Sequence, residues 1–395
     1  MTGVTLANGL VIVLDLLVWA ATLFAVVGLA AVAAGVVAVR RFAARPSCPT
    51  RLRPAVTVLK PLCGDEPSLE AALVSICSQA YPAFQIVFGV QDANDPALLV
   101  VRRVQERFPA CDTAVVVNAA FHGPNRKVSN LINMMPAVRH EVLVFSDSDL
   151  HVPPDYLERI VAALEEPRTG LVTTLCLGLP TTAGPAAQLG ATGISHSFLP
   201  GALLARGLGR EDCLGTTMAL RRDTLARAGG LESLVRHLAD DNVLAHRVQQ
   251  LGLRVGLAST VPMTAVPEGS LRALWQHEMR WARTIRALEP ALFVTSVLQF
   301  PLFWAASVFV LSRGSVGSAG LFTAAWLVRA LAALWTNRLL LQDWRPIVAA
   351  PVWLLPMRDF MSVSQVATSY LGTRVVWRGH VMRADDGRTS ALTRI

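Results

Sequence analysis

The sequence predicts an α/β domain with a largely parallel sheet, held between apolar segments long enough to cross a membrane. Three observations predict it. Uncharged stretches lie towards both ends, short apolar runs alternate with helical patterns from Pro54 to about Glu289, and polar residues recur where those runs stop. The expected division is 1–53 for an anchoring helix and basic juxtamembrane segment, 54–289 for the α/β domain, and 290–395 for a second membrane region with a basic tail.

Composition supports the membrane assignment, since 53% of the 395 residues are hydrophobic and only 16% charged, too apolar for an ordinary soluble enzyme. From Leu16 to Val39 there is no charge, a run longer than the ~20 residues that span a bilayer. It is also longer than the ~7–15-residue apolar core of a cleaved signal peptide. Arg40, Arg41, Arg45, Arg51 and Arg53 follow it, so the positive-inside rule predicts an uncleaved signal anchor with the chain after Arg40 in the cytoplasm. Near the other end, Ala291–Leu311 reads as a second span with Pro301 as a tolerated kink. Gly320–Trp335 is a third candidate, weakened by Arg329. Ile347–Leu371 is split by Arg358-Asp359 and reads equally well as interfacial helices.

The net charge of +8 has no interleaved aromatic–basic pattern of the kind nucleic acid requires; juxtamembrane arginines beside anionic lipid account for it more simply. Cys48, Cys63, Cys77, Cys111, Cys176 and Cys213 show no C-x-x-C spacing, and a cytoplasmic placement argues against disulfides.

Within the central domain, Ala55–Leu59 reads as the first strand, and Ser68 as the cap of a helix running to Gln79. Gln85–Val90 is a second strand, and Asp95-Pro96 opens a helix that ends near Phe108-Pro109. Ala114–Val117, a helix over Val128–Val138 and the strand Val142–Phe145 complete the alternation. Ligands of such sheets bind beyond the carboxyl ends of the strands, where this chain carries Lys60-Pro61, Gln91-Asp92, Asn125-Arg126-Lys127 and Asp147-Ser148-Asp149. No G-x-G-x-x-G or P-loop is present, which excludes dinucleotide and ATP sites of those kinds.

Asp147 and Asp149, two residues apart at a strand end, are hard oxygen ligands of the kind that hold Mg²⁺ or Mn²⁺ on a diphosphate, although Asp and Ser are also ordinary turn residues. Asp92 reads either as an Asx turn, with Asp95 the better helix cap, or as an acceptor for a base or ribose hydroxyl. Lys127 either neutralises phosphate or is a solvated charge at a helix start. Asp240-Asp241 opens a helical pattern, where acidic residues complement the helix dipole; the alternative for Asp241 is a general base. His277, Arg280 and Trp281 fit an interfacial belt, or phosphate neutralisation by Arg280 with Trp281 under an acceptor.

Taken in order, Val58-Leu59-Lys60-Pro61-Leu62, Val90-Gln91-Asp92 with Asn94-Asp95-Pro96-Ala97, Gly123-Pro124-Asn125-Arg126-Lys127-Val128-Ser129-Asn130-Leu131, Asp147-Ser148-Asp149, Asp240-Asp241 and Arg280-Trp281 resemble one family. They are similar to the membrane ceramide glucosyltransferases and their bacterial relatives, including the hopanoid-biosynthesis glycosyltransferases. The resemblance covers roughly Pro54 to Arg283 and implies a GT-A fold and inverting transfer from a UDP-sugar to a lipid hydroxyl. It implies an integral protein of a bacterial inner membrane, with the catalytic domain in the cytoplasm. By the same resemblance Lys60, Asp92, Lys127, Asp147, Arg280 and Trp281 bind the nucleotide-sugar, Asp147 and Asp149 the Mg²⁺ or Mn²⁺, and Asp241 is the base. Ser195-His196 matches a Ser-His of the ceramide enzymes on the acceptor side, though a packing histidine fits as well. His277 stands where the family's (Gln/Arg)-x-x-Arg-Trp motif begins, and Asp149 where animal ceramide enzymes tend to have Gly; both departures point to the bacterial branch.

Two other classes compete. A processive polysaccharide synthase shares D-x-D, a later Asp and the cation–aromatic motif, but needs more spans for export and usually Gln at position 277. A membrane scaffold has no use for acids and bases gathered on one rim.

Overall fold

The computed structural model describes residues 2–46, 50–341, 344, 351–377 and 380–384. Cys48, the start of the Ile347–Leu371 segment and most of the basic tail beyond 384 lie outside these residues. The five cysteines that are described are all free thiols.

Helix α1 (Thr2–Ala43) is one unbroken rod, about 60 Å long at 1.5 Å per residue and so longer than a bilayer is thick. Its first part presents Leu10, Val11, Ile12, Leu16 and Trp19 outward. After residue 50 the chain is pinned by acceptors on a later helix: Thr50 donates from its amide and hydroxyl to Glu158, and the amides of Arg51 and Leu52 donate to Glu165.

Strand β1 (Val56–Pro61), α2 (Leu69–Cys77), β2 (Phe84–Val90), α3 (Ala97–Arg107), β3 (Asp112–Val117), α4 (Arg126–Met134) and β4 (Val142–Ser146) follow the alternation expected from the sequence. Two details differ. Ser68 precedes α2 with φ 66° and makes no side-chain cap, while Asp95 caps α3 by accepting from the Ala97 amide at 2.9 Å. The helix expected to reach Val138 instead tightens into a 3₁₀ turn at Met135–Ala137, where Pro136 supplies no amide hydrogen.

Then come β5 (Leu150–His151), α5 (Tyr156–Leu164), β6 (Thr169–Thr173), β7 (Leu177–Pro180), α6 (Pro185–Gly193), a π-helical turn Ile194–Phe198, α7 (Leu199–Gly207), β8 (Thr217–Arg221), α8 (Arg222–Arg227), α9 (Asp240–Gln250), β9 (Arg254–Leu257), β10 (Met263–Val266) and α10 (Leu271–Leu288). The main sheet has the order β3-β2-β1-β4-β8-β6-β9. Every pairing in it is parallel except those of β8, which runs antiparallel to both β4 and β6. The chain builds outward from β1 to β3 and then returns to lay β4 on β1's other side. The crevice beyond the carboxyl ends of β1 and β4 is therefore the switch point at which such sheets bind ligands. Both faces of the sheet are covered, so its strands read as continuous apolar runs. Val56 and Val58 face a core with α2, α3 and α5, and Leu59, Leu143 and Phe145 face another with α4 and α9. A smaller sheet, β5-β10-β7, stands beside them.

Beyond α10, α11 (Pro290–Thr295) leads to α12 (Pro301–Leu311) and α13 (Val316–Leu340), which pack on α1, while α14 (Leu355–Ser369) packs on α10, α12 and α13; the hairpin β11 (Arg374–Trp377) and β12 (His380–Arg383) follows. Among the described residues, two helices are long and apolar enough to cross a membrane, Gly9–Ala43 within α1 and Val316–Leu340. Pro301 is no mere kink: it opens a new helix after a 65° bend, because it can donate no hydrogen bond back into the preceding turn. The far end of α1 leaves the lipid-facing pattern, and Val39 and Phe42 enter a core with Leu177, Leu199, Met263 and Leu340 that welds the anchor to the α/β domain.

Where α1 meets the 3₁₀ turn Ser296–Gln299 and the start of α12, Gly28 lets the backbones touch, since a Cβ there would lie 2.6 Å from the Leu298 carbonyl oxygen and 3.2 Å from Pro301 Cα. We predict that Gly28→Val destabilises the purified protein by about 1–3 kcal/mol through overpacking, read as a lower melting temperature in detergent. Gly9→Val, with nothing within 4 Å, should melt like wild type.

Candidate active site

The register of β1 on β4 places Lys60 beside the end of β4, and Lys60 Nζ donates to the Asp147 carbonyl at 2.6 Å. Lys60 is fully buried; burial pulls its pKa down to about 8, with Asp149, Asp147 and Glu66 opposing the fall. The Asp147 carboxylate is a partly exposed acceptor, paired through Oδ1 with Lys127 Nζ at 2.6 Å. Lys127 also donates to the Gly215 carbonyl at 3.2 Å, so it is not a solvated charge. Burial alone would favour its neutral form, but Asp147 and Asp240 hold its pKa above the usual lysine range.

Asn125 sets Lys127 in place by capping α4. Its Oδ1 accepts from the Val128 amide at 3.1 Å, and its Nδ2 donates to the His237 carbonyl and to Asp240 Oδ1. Next in the D-x-D turn, Ser148 donates to Glu66 at 2.5 Å. Asp149 Oδ2 accepts from Thr264 on β10 at 2.6 Å. Burial, and then the like charge of Asp147, raise the Asp149 pKa to about 6.

Asp241 sits one residue into α9, its Oδ1 accepting from the Asn242 amide at 2.8 Å. Burial raises its pKa to about 7, and the neighbouring Asp240 adds to the rise. Its position depends on Gly215: that residue has φ +75°, and a Cβ on it would fall 2.6 Å from Asp241 Oδ2. The short segment before β8 is thus a hub. Gly215 meets Asp241 and Lys127, and the Thr216 carbonyl accepts from the Asp147 amide. Sequence reasoning passed over this segment, as it did Asn125's bond to Asp240 and Thr264's to Asp149. The signal was Leu214-Gly215-Thr216-Thr217 immediately before the apolar triplet Met218-Ala219-Leu220.

Lys60, Lys127, Asp147, Asp149 and Asp241 therefore converge, with Asp240 and Glu66 around them. Asp92 stands exposed on the same rim, at the end of β2, as an Asx turn whose Oδ1 accepts from the Asn94 amide at 2.8 Å. His277 and Trp281 are tied to one another on α10, rings 4.5 Å apart, with His277 Nδ1 2.5 Å from Glu268 and Arg280 over the Trp281 ring. That helix follows β10, the strand that holds Asp149. His196 lies apart, buried in the π-helical turn, where burial and Arg329 lower its pKa to about 3 and keep it neutral. It lines a cavity with Ser197, Gln299, Arg329 and Thr336 under α1, and its Nδ1 holds no hydrogen bond.

Among the described residues no three His, Cys, Asp or Glu side chains form a ready-made metal cage. The donors at Asp147 and Asp149 nevertheless suit Mg²⁺ or Mn²⁺. Each carboxylate keeps an oxygen beyond the contacts just described, and Mg²⁺ sites that share a substrate's phosphates need only one or two protein carboxylates.

The fold is GT-A. A mannosyltransferase from Pyrobaculum calidifontis, solved in complex with GDP-Man and Mn²⁺, superposes with a TM-score of 0.54 at 20% identity, over 90% of this chain and 99% of that one. The chain is a glycosyltransferase of GT-A fold with helices long and apolar enough to span a membrane. The chain belongs to glycosyl transferase family 21, whose pattern it matches over residues 20–390. It is 23% identical over 342 residues to ceramide glucosyltransferase 1 of Caenorhabditis elegans, covering 85% of this chain and 72% of that enzyme. It is 27% identical over 285 residues to the ceramide glucosyltransferase of Komagataella phaffii, covering 58% of this chain and 56% of that one.

Gly215→Ala should lower the rate of sugar transfer by about tenfold or more, since displacing Asp241 need cost only ~1.4 kcal/mol of transition-state stabilisation, while melting stays within a few degrees of wild type. An unchanged rate would show that the placement of Asp241 does not matter.

Proposed function

We propose that the protein transfers glucose or N-acetylglucosamine from a UDP-sugar to a hydroxyl of a membrane lipid, with inversion, at the cytoplasmic face. The 54–289 segment carries the chemistry, and the flanking regions hold it at the bilayer. The observation that carries this reading is the separation of roles among the carboxylates. Asp147 and Asp149 sit at the switch point with Lys60 and Lys127, while Asp241 comes from a different element, the first turn of α9, with its pKa raised to about 7, where a base is most effective.

In the reaction, Asp241 accepts the proton of the lipid hydroxyl as its oxygen bonds to the anomeric carbon. The bond from that carbon to the diphosphate breaks on the opposite face, and UDP leaves with the electron pair. One displacement with no covalent enzyme intermediate inverts the anomeric centre. Lys127 and Lys60 add positive charge beside the leaving diphosphate, and a Mg²⁺ or Mn²⁺ held by Asp147 and Asp149 supplies Lewis-acid neutralisation there when bound. Asp92 is the partner for the nucleoside, Arg280 and Trp281 complete the donor side, and His196 and His277 serve the acceptor.

The acceptor we favour is a hopanoid such as bacteriohopanetetrol, with ceramide next. The support is His277 at the head of its motif and Asp149 in place of glycine. Membranes offered radiolabelled UDP-glucose and UDP-N-acetylglucosamine should yield an organic-soluble labelled product; label retained on a filter as polymer would overturn the reading.

Two further outcomes follow. Asp241→Asn should abolish turnover yet bind UDP, and wild-type kcat/KM should fall about tenfold per unit as pH drops below about 7, because only the ionised carboxylate accepts a proton. Wild-type turnover by that variant would remove Asp241 as the base. Asp149→Ala should weaken Mn²⁺-dependent UDP binding in calorimetry. Wild-type binding should itself weaken below about pH 6, where protons compete for Asp149; titrations identical to wild type would count against its role.

A further inference from the structure

Consecutive residues on α14 reach both flanks of the site. Arg358 is buried and makes a bidentate pair with Glu278 of α10, Nη1 lying 2.8 Å from each carboxylate oxygen. Gln365 closes the ring by accepting from Arg358 Nη2 at 3.0 Å and donating to Glu278 Oε2 at 2.7 Å. Glu278 lies on α10 between His277 and Arg280-Trp281. Asp359 is fully buried and turns to different partners. Its Oδ1 accepts from Arg329 of α13 at 2.7 Å, and its Oδ2 accepts from the Leu302 amide in the first turn of α12. Arg329 in turn donates to the His196 carbonyl at 2.7 Å and to Ser197 at 3.1 Å. Gly193, just before the π-helical turn, has no room for a side chain, since a Cβ there would lie 2.9 Å from Arg358 Nη1.

We propose that Arg358 and Asp359 are positioning residues for glycosyl transfer. Arg358, through Glu278, fixes the helix that carries Arg280 and Trp281 on the donor side together with His277 for the acceptor, and Asp359, through Arg329, fixes the turn that carries His196 on the acceptor side. The inference rests on the donor and acceptor roles proposed above. Three lines of physical chemistry support it. Buried ion pairs add little net stability over apolar residues of similar volume, so two such pairs meeting at one place are better explained by the geometry they impose. Charged side chains beside membrane-spanning helices are costly and face functional interiors. Each network reaches a segment that carries a proposed substrate contact, the first through Glu278 of α10 and the second through the His196 carbonyl.

Because a single deletion strands a buried charge, each network is tested by removing both partners. Glu278→Leu with Arg358→Met takes out the first, and Arg329→Met with Asp359→Leu the second, leaving no unpaired charge to unfold the chain. Kinetics are measured in nanodiscs with radiolabelled UDP-sugar and with ceramide or bacteriohopanetetrol as acceptor, alongside melting temperatures. The first double variant should raise the donor KM by about tenfold and, because α10 also carries His277, the acceptor KM as well; the second should raise the acceptor KM by about tenfold and leave the donor KM within about twofold. A donor KM raised equally by both doubles, or activity lowered only in step with the folded fraction, would mark a purely structural role and overturn the proposal. If wild type labels neither lipid, the assignment of donor and acceptor sides fails and the proposal falls with it. If wild type is active and the donor KM does not separate the two doubles, the positioning roles alone are lost.

Discussion

The ion pair between Lys127 and Asp147 is the contact on which the site depends. It joins the amino end of α4, the carboxyl end of β4 and, through the Gly215 carbonyl, the segment leading into β8. Around it Glu66, Asp147, Asp149, Asp240 and Asp241 are gathered against Lys60 and Lys127, so carboxylates outnumber ammonium groups. The excess explains why burial and mutual repulsion raise the proton affinities of Asp149 and Asp241. A corner of this kind carries an excess of negative charge.

The membrane-side charges follow another rule. Arg329, Arg358, Asp359 and Glu278 are all buried, and each meets an opposite charge together with neutral hydrogen-bonding partners. Networks paired in this way favour one arrangement, although Arg329 Nε has no partner, whereas the corner at the strand ends carries more carboxylates than ammonium groups. Charge is therefore balanced beside the membrane-side helices and left negative at the strand ends.

Much of this was legible in the sequence. The first four strands lay on the apolar runs, with β1 and β4 running one or two residues further to Pro61 and Ser146, so Lys60, Asp92, Lys127 and the D-x-D turn fell on one rim by the geometry of parallel sheets alone. What escaped notice depended on distant partners. Strand β8 is short, ends in Arg221 and lies between β4 and β6 only because the chain doubles back; nothing local announces an antiparallel insertion. The two-residue β5 exists only as a partner of β10, more than a hundred residues away, and Thr264 acquires its bond to Asp149 through that pairing. Arg329 weakened a span in the sequence because Asp359, which neutralises it, sits on another helix. Pro301 marked a bend correctly, but its size depended on how α12 packs.

The close crossing of α1 and α12 at Gly28 has a consequence for how the molecule is made. During translation α1 emerges first and α12 and α13 only after the whole α/β domain, so the Gly28 face is bare to lipid throughout that interval. Among the described residues, the two cores that cover the sheet draw on none beyond Ala258. Synthesis can thus complete the sheet on a single tethering helix, and the joint between anchor and bundle closes as the last step of assembly.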